Sequence, residues 1–522
     1  MAIYPEFTED GVVVRCSTFR DRMWNVIFVD GSYLTIGLLT LAFSLICRQL
    51  MTTKKKDRLP PSPGIAIPVL GHFYLLDEDL RITFKRMRKT CGDIFFIQFG
   101  SIPTVVISSY SNIKDGFMSS NMFLARPRLF MLDKITNGGK GILMAQGEDW
   151  KVHRKFSLST LKQLGMGKNK TVQSIHLEAK AFVEELKDTK GEPFDPSAMI
   201  SSHIANIICA MTFSERFNYS DPRFQKLLKM FEELNVRSTA SLANFFPWIA
   251  KLPGKFTGVE KMKGHVKELF SYIDDIVEEH KTRFDENNLQ DLTSAYMHEL
   301  RQLEKNAITT SVMNFTYLTS VITDFFVGGI KTTSSALSWC IVCLVEHPDI
   351  QENICDQIHA CVGRERMPSM EDKTDLPLVE AFCMEVLRVC NVPAILLHST
   401  SCDVEFKGYT IPAGCMVLPD LVSVHKDPEI WGDPESFRPG RFLDEQGKVI
   451  NKKEFLPFFV GKRSCIGESL ARSELFLFVS CLLQNFIFEN PKDEAVTVKS
   501  VDGQFGIVHE PKPYRIVAKM RK

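Results

Sequence analysis

The feature that most constrains the fold is a long apolar stretch, TYLTSVITDFFVGGIKTTSSALSWCIVCLVEH, which predicts one buried helix over residues 317–346. The centre of this stretch, VGGIKTTS, departs from what a buried helix needs. Each of its two glycines costs about 1 kcal/mol relative to alanine, and a lysine lies among apolar residues. Because natural sequences break local rules mainly where function requires it, we expect a functional site at this point.

The composition indicates a globular protein with a large apolar interior. The chain has 522 residues, of which 44% are hydrophobic and 24% charged. No internal repeat or long glycine/serine linker follows the first sixty residues, so we expect one large domain. The formal net charge is zero, which gives no overall indication of a nucleic-acid partner. The 14 cysteines are scattered and lack paired zinc spacing, as in a reducing compartment with free thiols.

The N-terminal region predicts a membrane anchor. Residues 33–47 carry no charge, and extension back to Trp24 makes the segment long enough to span a bilayer. A long N-terminal region with several acids and the lack of a small-residue cleavage site argue against a signal peptide. Arg48 and the lysines at 54–56 place the following chain in the cytosol by the positive-inside rule. The predicted divisions are a luminal segment (1–22), an anchor helix (23–50), a basic and proline-rich linker (51–72) and one globular domain (73–522).

The globular part is predicted to be mainly α with small β-sheets. Residues 92–109 have the pattern of a β-hairpin, and most of residues 112–362 have a helical period. Further helices are predicted at residues 375–390 and after Gly467. The aromatic loop at residues 243–254 is either a buried loop or a second membrane contact beside a substrate entrance. The helices predicted in the first half of the domain are 148–164, 171–186, 221–236 and 259–287.

A cysteine in the segment FFVGKRSCIGESLAR has unusual surroundings. Cys465 lies just before a long apolar helix, so the positive end of the helix dipole favours its thiolate. Lys462 and Arg463 add positive charge beside it, and Gly461 and Gly467 leave room for a large flat group. A thiolate of this kind is suited to be the axial ligand of a haem iron.

The spacing F-x-x-G-x-R-x-C-x-G resembles the haem-binding loop of the cytochrome P450 family, and the resemblance covers the chain from about Leu59 onward. The chain is most similar to the animal microsomal, drug- and steroid-metabolising group of this family (family-2 type). The resemblance implies the P450 fold behind a single N-terminal transmembrane helix, with haem b as the cofactor. The matching loop residues are Phe458, Gly461, Arg463, Cys465 as the iron ligand, and Gly467.

The same resemblance assigns further residues to the site. The E-x-x-R helix gives Glu385 and Arg388, with Arg438 in SFRPGRF as the third member of a buried structural triad. The partners expected for the haem propionates are Trp150, Arg154, Arg463, His398 and Arg126. The substrate pocket is expected to be lined by Leu124, Phe130, Phe325, Phe326, Val327, Gly328, Gly329, Ile395, Leu396, Leu397, Ile507 and Val508.

The central motif now aligns with the oxygen-side helix of the family. Thr332 and Thr333 match its hydroxyl positions, with Thr332 expected to hydrogen-bond dioxygen and order water. Lys331 stands where the family has an acid that relays protons. A lysine could relay them only if burial depressed its pKa. We favour the alternative, in which Lys331 forms a salt bridge away from the haem and other groups or water deliver protons.

The function implied is that of a haem-thiolate monooxygenase, which inserts one atom of O2 into a lipophilic steroid, fatty acid or xenobiotic. Electrons would come from NADPH through cytochrome P450 reductase, with cytochrome b5 as an optional second partner. The candidate docking residues are Lys151, Lys155 and Lys462. The expected location is the endoplasmic reticulum membrane, facing the cytosol. Two other functions stay open, an isomerase or dehydratase of lipid hydroperoxides or endoperoxides that needs no external electrons, and a non-catalytic haem sensor.

Overall fold

A computed structural model describes residues 58–164, 170–234, 239–252, 257–306, 312–503 and 506–521. The predicted luminal segment, the anchor helix and the start of the linker lie outside the described residues. The described chain is mainly helical, as predicted. Its α-helices are α1 (Leu80–Cys91), α2 (Tyr110–Ile113), α3 (Phe130–Ile135), α4 (Gly147–Gln163), α5 (Lys170–Asp188), α6 (Ser197–Phe213), α7 (Pro222–Glu233), α8 (Val259–Thr282), α9 (Leu292–Lys305), α10 (Phe315–Glu346), α11 (Pro348–Cys361), α12 (Pro377–Cys390), α13 (Leu421–His425), α14 (Pro428–Trp431), α15 (Glu468–Asn485) and α16 (Val498–Val501).

The strands form small sheets around this helical body. The largest sheet has the order β1-β2-β6-β3, in which β1 and β2 are the predicted antiparallel hairpin and β2 runs parallel to β6. Two antiparallel pairs, β4-β5 and β7-β8, complete the described strands. The strands are β1 (Ile94–Phe99), β2 (Ile102–Ile107), β3 (His398–Ser399), β4 (Val404–Phe406), β5 (Tyr409–Ile411), β6 (Met416–Pro419), β7 (Phe486–Glu489) and β8 (Val517–Met520).

Helix α10 is the centre of the main hydrophobic core. It packs against α6, α8, α12 and α15, and the Asn314 side chain caps its N-terminus by accepting a hydrogen bond from the Tyr317 amide. It is also the one described helix long and apolar enough to cross a membrane by length and composition, but 72% of its most apolar window is buried inside the protein. The prediction of a long buried helix is therefore confirmed, with two more residues at its N-terminal end than the pattern indicated.

Helices α12 and α15 bring the other two motifs to the central helix. Both are apolar on the face toward α10, and both belong to the same core cluster. Helix α15 begins at Glu468, directly after the segment that carries Cys465. The fold thereby brings the central motif, the E-x-x-R motif and the cysteine loop into one region, although they are far apart in sequence.

Candidate active site

A deep cavity of about 690 Å³ lies between α10 and the cysteine loop. Its walls are predominantly apolar, and its size is typical of pockets that enclose a small organic molecule. The central glycines, Cys465 and the chain around Ile507 all contribute to its lining. The Cys465 side chain is surrounded by protein but has accessible surface, because it opens into this cavity. The central helix motif and the cysteine therefore face the same enclosed space.

The two central glycines have different structural roles. A Cβ atom at Gly328 would meet nothing within 4 Å, so this position opens onto free space. A Cβ atom at Gly329 would lie 2.5 Å from Cδ1 of Ile208 on α6. Gly328 thus gives the clearance inside the cavity that the sequence predicted, whereas Gly329 also allows α6 to pack closely on α10.

The two threonines of the motif make different hydrogen bonds. The Thr332 hydroxyl donates to the Gly328 carbonyl at 2.6 Å, one turn back along the helix. Thr333 is buried and hydrogen-bonds the Glu474 side chain on α15. Glu474 is fully enclosed, its Oε1 atom has no partner within the described chain, and burial raises the pKa of its carboxyl to about 8. At neutral pH Glu474 is therefore largely protonated.

Lys331 forms an ion pair with Glu510. Its Nζ atom lies 3.2 Å from Oε2 of Glu510, and both side chains are partly exposed along the cavity wall. The salt bridge that we favoured for Lys331 is thus present in the structure. Its acidic partner comes from a segment far away in the sequence that no local pattern singles out.

The cysteine loop is fixed by backbone contacts. The Cys465 amide donates to the Phe458 carbonyl at 2.9 Å. Gly461 has a φ of +72°, and a Cβ atom there would lie 2.0 Å from the Phe117 carbonyl oxygen. Gly461 is thus required for loop packing on the segment Lys114–Met118, and it does not line the cavity.

The protein alone does not favour a thiolate at Cys465. Burial raises the pKa of the thiol, and the hydrogen bond from the Gly467 amide and the charge of Arg154 offset this effect only in part. The lowering effect of the Gly467 amide agrees with the predicted influence of the helix start, and stabilisation of the thiolate by Lys462 and Arg463 stays a prediction. A coordinated metal ion would supply the missing stabilisation, because it deprotonates a ligating thiol.

Three guanidinium groups converge on one wall of the cavity. Arg463 donates to the carbonyls of Leu124 and Ala145, and its guanidinium lies 4.0 Å from the centre of the Trp150 ring. Burial and the charges of the neighbouring Arg126 and Arg154 lower the pKa of Arg463 to about 8. Within the described chain, none of the three guanidiniums forms an ion pair with a carboxylate, although all three line the cavity.

Trp150 and Arg154 lie on α4 beside this cluster. Arg154 donates to the Ser464 carbonyl at 2.7 Å, which attaches α4 to the cysteine loop. The indole nitrogen of Trp150 is buried and has no hydrogen-bond partner among the described residues, although the ring lines the cavity. A buried donor without an acceptor costs about 1–3 kcal/mol. The Trp150 indole is therefore expected to donate to a bound group that is not part of the polypeptide.

A buried carboxylate on α10 binds the segment that also contacts the arginine cluster. Asp324 accepts hydrogen bonds from the amides of Ile142 and Leu143 at 2.5 and 2.9 Å. Burial nevertheless raises the pKa of its carboxyl to about 7. Asp324 thereby attaches the segment between α3 and α4 to the central helix.

The E-x-x-R motif forms a buried ion-pair network on α12. Arg388 binds Glu385 through two hydrogen bonds of 2.8 Å, and both side chains are 0% exposed. The third member is Arg441, whose Nε donates to Glu385 at 2.9 Å. The assignment of Arg438 was wrong. Its side chain is 58% exposed and pairs with Asp433, and only its backbone amide reaches Glu385.

The network is connected to the cysteine loop through one histidine. Arg388 donates to the His425 carbonyl at 2.8 Å, and the His425 Nε2 accepts from the Leu456 amide at 2.9 Å. The Nδ1 proton therefore points to Asn391 Oδ1, 2.7 Å away. Burial and the Arg388 charge lower the pKa of His425 to about 3, so this neutral form is kept. A rigid chain of hydrogen bonds thus runs from α12 to the start of the cysteine loop.

Comparison with known proteins agrees with this geometry. Residues 60–518 match the family model for cytochrome P450. The chain is 35% identical over 447 residues to cytochrome P450 2U1 of Homo sapiens, covering 84% of this chain and 81% of that protein. It is 33% identical over 498 residues to cytochrome P450 2J5 of Mus musculus (94% and 97% covered) and 35% identical over 494 residues to cytochrome P450 2C44 of Mus musculus (92% and 98% covered).

The chain belongs to the cytochrome P450 family. It is therefore a haem-dependent monooxygenase of the oxidoreductase class, and the relatives named above are family-2 members.

The cavity of this P450 fits a haem. The carboxylates of two propionates would pair the guanidiniums of Arg126, Arg154 and Arg463 and would accept the indole hydrogen of Trp150. The thiol of Cys465 opens into the same space. These residues present a sulfur ligand, three guanidiniums without a carboxylate partner among the described residues and one indole donor without an acceptor, as an iron porphyrin with acidic side groups requires.

One predicted cofactor contact, His398, is hydrogen-bonded within the protein. His398 does not line the cavity. It hydrogen-bonds the Phe123 carbonyl at 2.8 Å, and burial together with the charges of Arg126 and Arg463 lowers its pKa well below the ordinary range. It is therefore a neutral histidine, and its predicted contact with a haem propionate stays a prediction. Phe458 and Gly467 do line the cavity, so their predicted contact with haem stays a prediction.

The predicted pocket residues line the cavity except for Leu124 and Phe130. Leu124 contributes its carbonyl to Arg463, and Phe130 packs on the main core. Sequence reasoning missed Glu474, Glu510 and Asp324. A charged residue in an apolar stretch could have indicated Glu474 and Asp324, whereas Glu510 lies in a polar C-terminal segment without such a signal.

Proposed function

We propose that this P450 inserts one oxygen atom into a lipophilic substrate, such as a steroid, fatty acid or xenobiotic. The electrons would come from NADPH through cytochrome P450 reductase, on the cytosolic face of the endoplasmic reticulum. The observation that carries the proposal is the single apolar cavity that contains the Cys465 thiol, the arginine cluster and the central helix. An apolar enclosure of this size favours a lipophilic ligand.

Haem, when bound, supplies the activation of O2, and the polypeptide supplies orientation, exclusion of water and protons. Cys465 would hold the iron, and Trp150 with Arg126, Arg154 and Arg463 would hold the propionates. The Thr332 hydroxyl already donates its hydrogen to the Gly328 carbonyl. Its oxygen therefore acts as a hydrogen-bond acceptor that keeps a proton or a water in place inside the cavity.

An exposed basic surface supports the proposal that an acidic electron donor docks near Cys465. Lys151 and Lys155 are exposed on α4, the helix that Arg154 joins to the cysteine loop. Lys462 is exposed on that loop itself. Their proximity to Cys465 supports docking of an acidic reductase, and of cytochrome b5, over the thiolate side.

A cluster of exposed apolar side chains supports contact with a lipid surface. Trp248 is 52% exposed and Ile65 is 73% exposed. The loop with Trp248 and the linker with Ile65 are joined because Phe73 packs against Phe245 and Phe246, with ring centres 5.6 and 5.1 Å apart. This contact and the predicted anchor at residues 23–50 would hold the domain of residues 73–522 on the membrane.

Reconstitution tests the proposal. The full-length chain, loaded with haem, is placed in phosphatidylcholine vesicles with P450 reductase, and a panel of steroids, fatty acids and xenobiotics is assayed with and without NADPH. We expect oxygenated products that need both NADPH and reductase. Turnover of a lipid hydroperoxide in the absence of reductase, with no NADPH-dependent product, would instead identify an isomerase or dehydratase.

A further inference from the structure

The Lys331–Glu510 pair is an ion pair in a cavity wall that is predominantly apolar. The two side chains lie 3.2 Å apart, and about a third of Lys331 and a fifth of Glu510 are exposed along the cavity. An ion pair that is partly shielded from water is stronger than one on the outer surface. An apolar ligand in the cavity would displace further water and strengthen it again.

The chain beside Glu510 forms part of the cavity wall. Ile507 and Val508 line the cavity directly. The Ile507 carbonyl accepts a hydrogen bond from the Ala394 amide at 3.2 Å, and the His509 amide donates to the Val392 carbonyl at 2.9 Å. These bonds attach one side of the segment, residues 506–510, to the stretch after α12.

The other side of this segment lies along α10. The Trp339 indole donates to the His509 carbonyl at 3.1 Å, and the Tyr514 hydroxyl donates to the Ser338 carbonyl at 3.1 Å. Lys331 lies eight residues before Trp339, about 12 Å along the helix and about 80° around it. The ion pair therefore adds a separate attachment of the segment next to Gly328, where the cavity is open.

We propose that the Lys331–Glu510 pair is a positioning element of the substrate cavity. It holds Ile507 and Val508 at a fixed distance from the glycine face of α10 and so determines which part of a lipophilic substrate points toward the Cys465 side. The inference deepens the proposed monooxygenase function and rests on it. In this proposal Lys331 shapes the cavity and does not deliver protons.

The two charges depend on each other. Loss of either one leaves an unpaired charge at the edge of an apolar cavity, which opposes the entry of an apolar ligand. Because the pair and the ligand stabilise each other, removal of the pair must weaken ligand binding by the same factor by which the ligand strengthens the pair. The affinity of the cavity for an apolar ligand therefore reports the strength of the Lys331–Glu510 ion pair.

A charge exchange tests the proposal in the haem-loaded full-length chain. The set comprises Lys331→Glu, Glu510→Lys, the double variant, and Arg515→Glu as a control for a C-terminal charge in an exposed pair with Glu494. The dissociation constant of clotrimazole, an apolar imidazole, is read from the haem absorbance. Product ratios are measured on a substrate identified by reconstitution.

We expect each single variant to bind clotrimazole about five-fold or more weakly and to change the product ratio. The double variant should return to within about two-fold of wild type, as should Arg515→Glu. The carbon monoxide spectrum reports the thiolate site separately, and clotrimazole affinity needs no turnover, so failure of the proposed function is distinguishable. Unchanged affinity in both single variants, or a double variant that retains haem without recovery, would overturn the proposal.

Discussion

Replacement of Arg441 by alanine should destabilise the protein far more than replacement of Arg438, although the two arginines are three residues apart. The Arg441 side chain is 3% exposed, and it donates to Glu385 and to the carbonyls of Trp431 and Ser436. The Arg438 side chain is 58% exposed and pairs with Asp433.

The magnitude follows from the burial of Glu385. This carboxylate is 0% exposed, and its Oε1 accepts hydrogen bonds from Arg388, from the Arg438 amide and from Arg441. Arg441→Ala removes one of two buried cations from a buried anion and leaves the carbonyls of Trp431, Asp433 and Ser436 without that donor. Loss of one partner of a buried ion pair costs about 3–5 kcal/mol. Arg438→Ala removes an exposed pair, which costs about 0–1 kcal/mol, and retains the backbone bond to Glu385.

Urea unfolding followed by far-UV circular dichroism measures this difference, and haem content after purification gives a second readout. Arg441→Lys retains the charge but not the planar guanidinium. Its free energy of unfolding should lie between those of wild type and Arg441→Ala. Equal losses of unfolding free energy in Arg441→Ala and Arg438→Ala, or a larger loss in Arg438→Ala, would refute the reasoning.

Three further outcomes are expected. Trp150→Phe should retain the fold, yet lose haem several-fold faster to apomyoglobin, and an unchanged transfer rate would exclude the indole as a propionate donor. Folding raises the pKa of Asp324 to about 7 from its ordinary 3.8, so the contribution of Asp324 to wild-type stability should fall as the pH rises from about 4 to 7. Asp324→Asn should lack that slope in urea unfolding, and an identical pH profile would contradict this. Thr332→Ala should release more hydrogen peroxide per NADPH than wild type, and unchanged coupling would remove Thr332 from oxygen-side proton handling.

The sequence was sufficient for the fold class because its strongest patterns are local. The apolar period predicts α10 over residues 317–346, and the structure has Phe315–Glu346. The spacing of Glu385 and Arg388 puts both on one helix face, and they meet at 2.8 Å. The third arginine could not be assigned in this way, since SFRPGRF offers two candidates and only the turn Pro439–Phe442 decides which side chain turns inward.

The features of the site that the sequence did not predict depend on residues far apart in the chain. No local pattern connects Lys331 with Glu510, which are 179 residues apart in sequence. Gly329 packs against Ile208 on α6, a contact that only helix packing reveals. The pKa of Cys465 depends on how deeply the loop is enclosed, and burial exceeds the local charges that the sequence displays.

The central claim is that Cys465 is the thiolate ligand of a haem in the cavity below α10. The carbon monoxide difference spectrum of the reduced, haem-loaded full-length protein tests it most directly. We predict the red-shifted Soret band of a thiolate-ligated haem in the wild type, and its loss in Cys465→Ser at comparable haem content. A wild-type protein that binds haem without this band, or a Cys465→Ser variant that keeps the band, would contradict the claim.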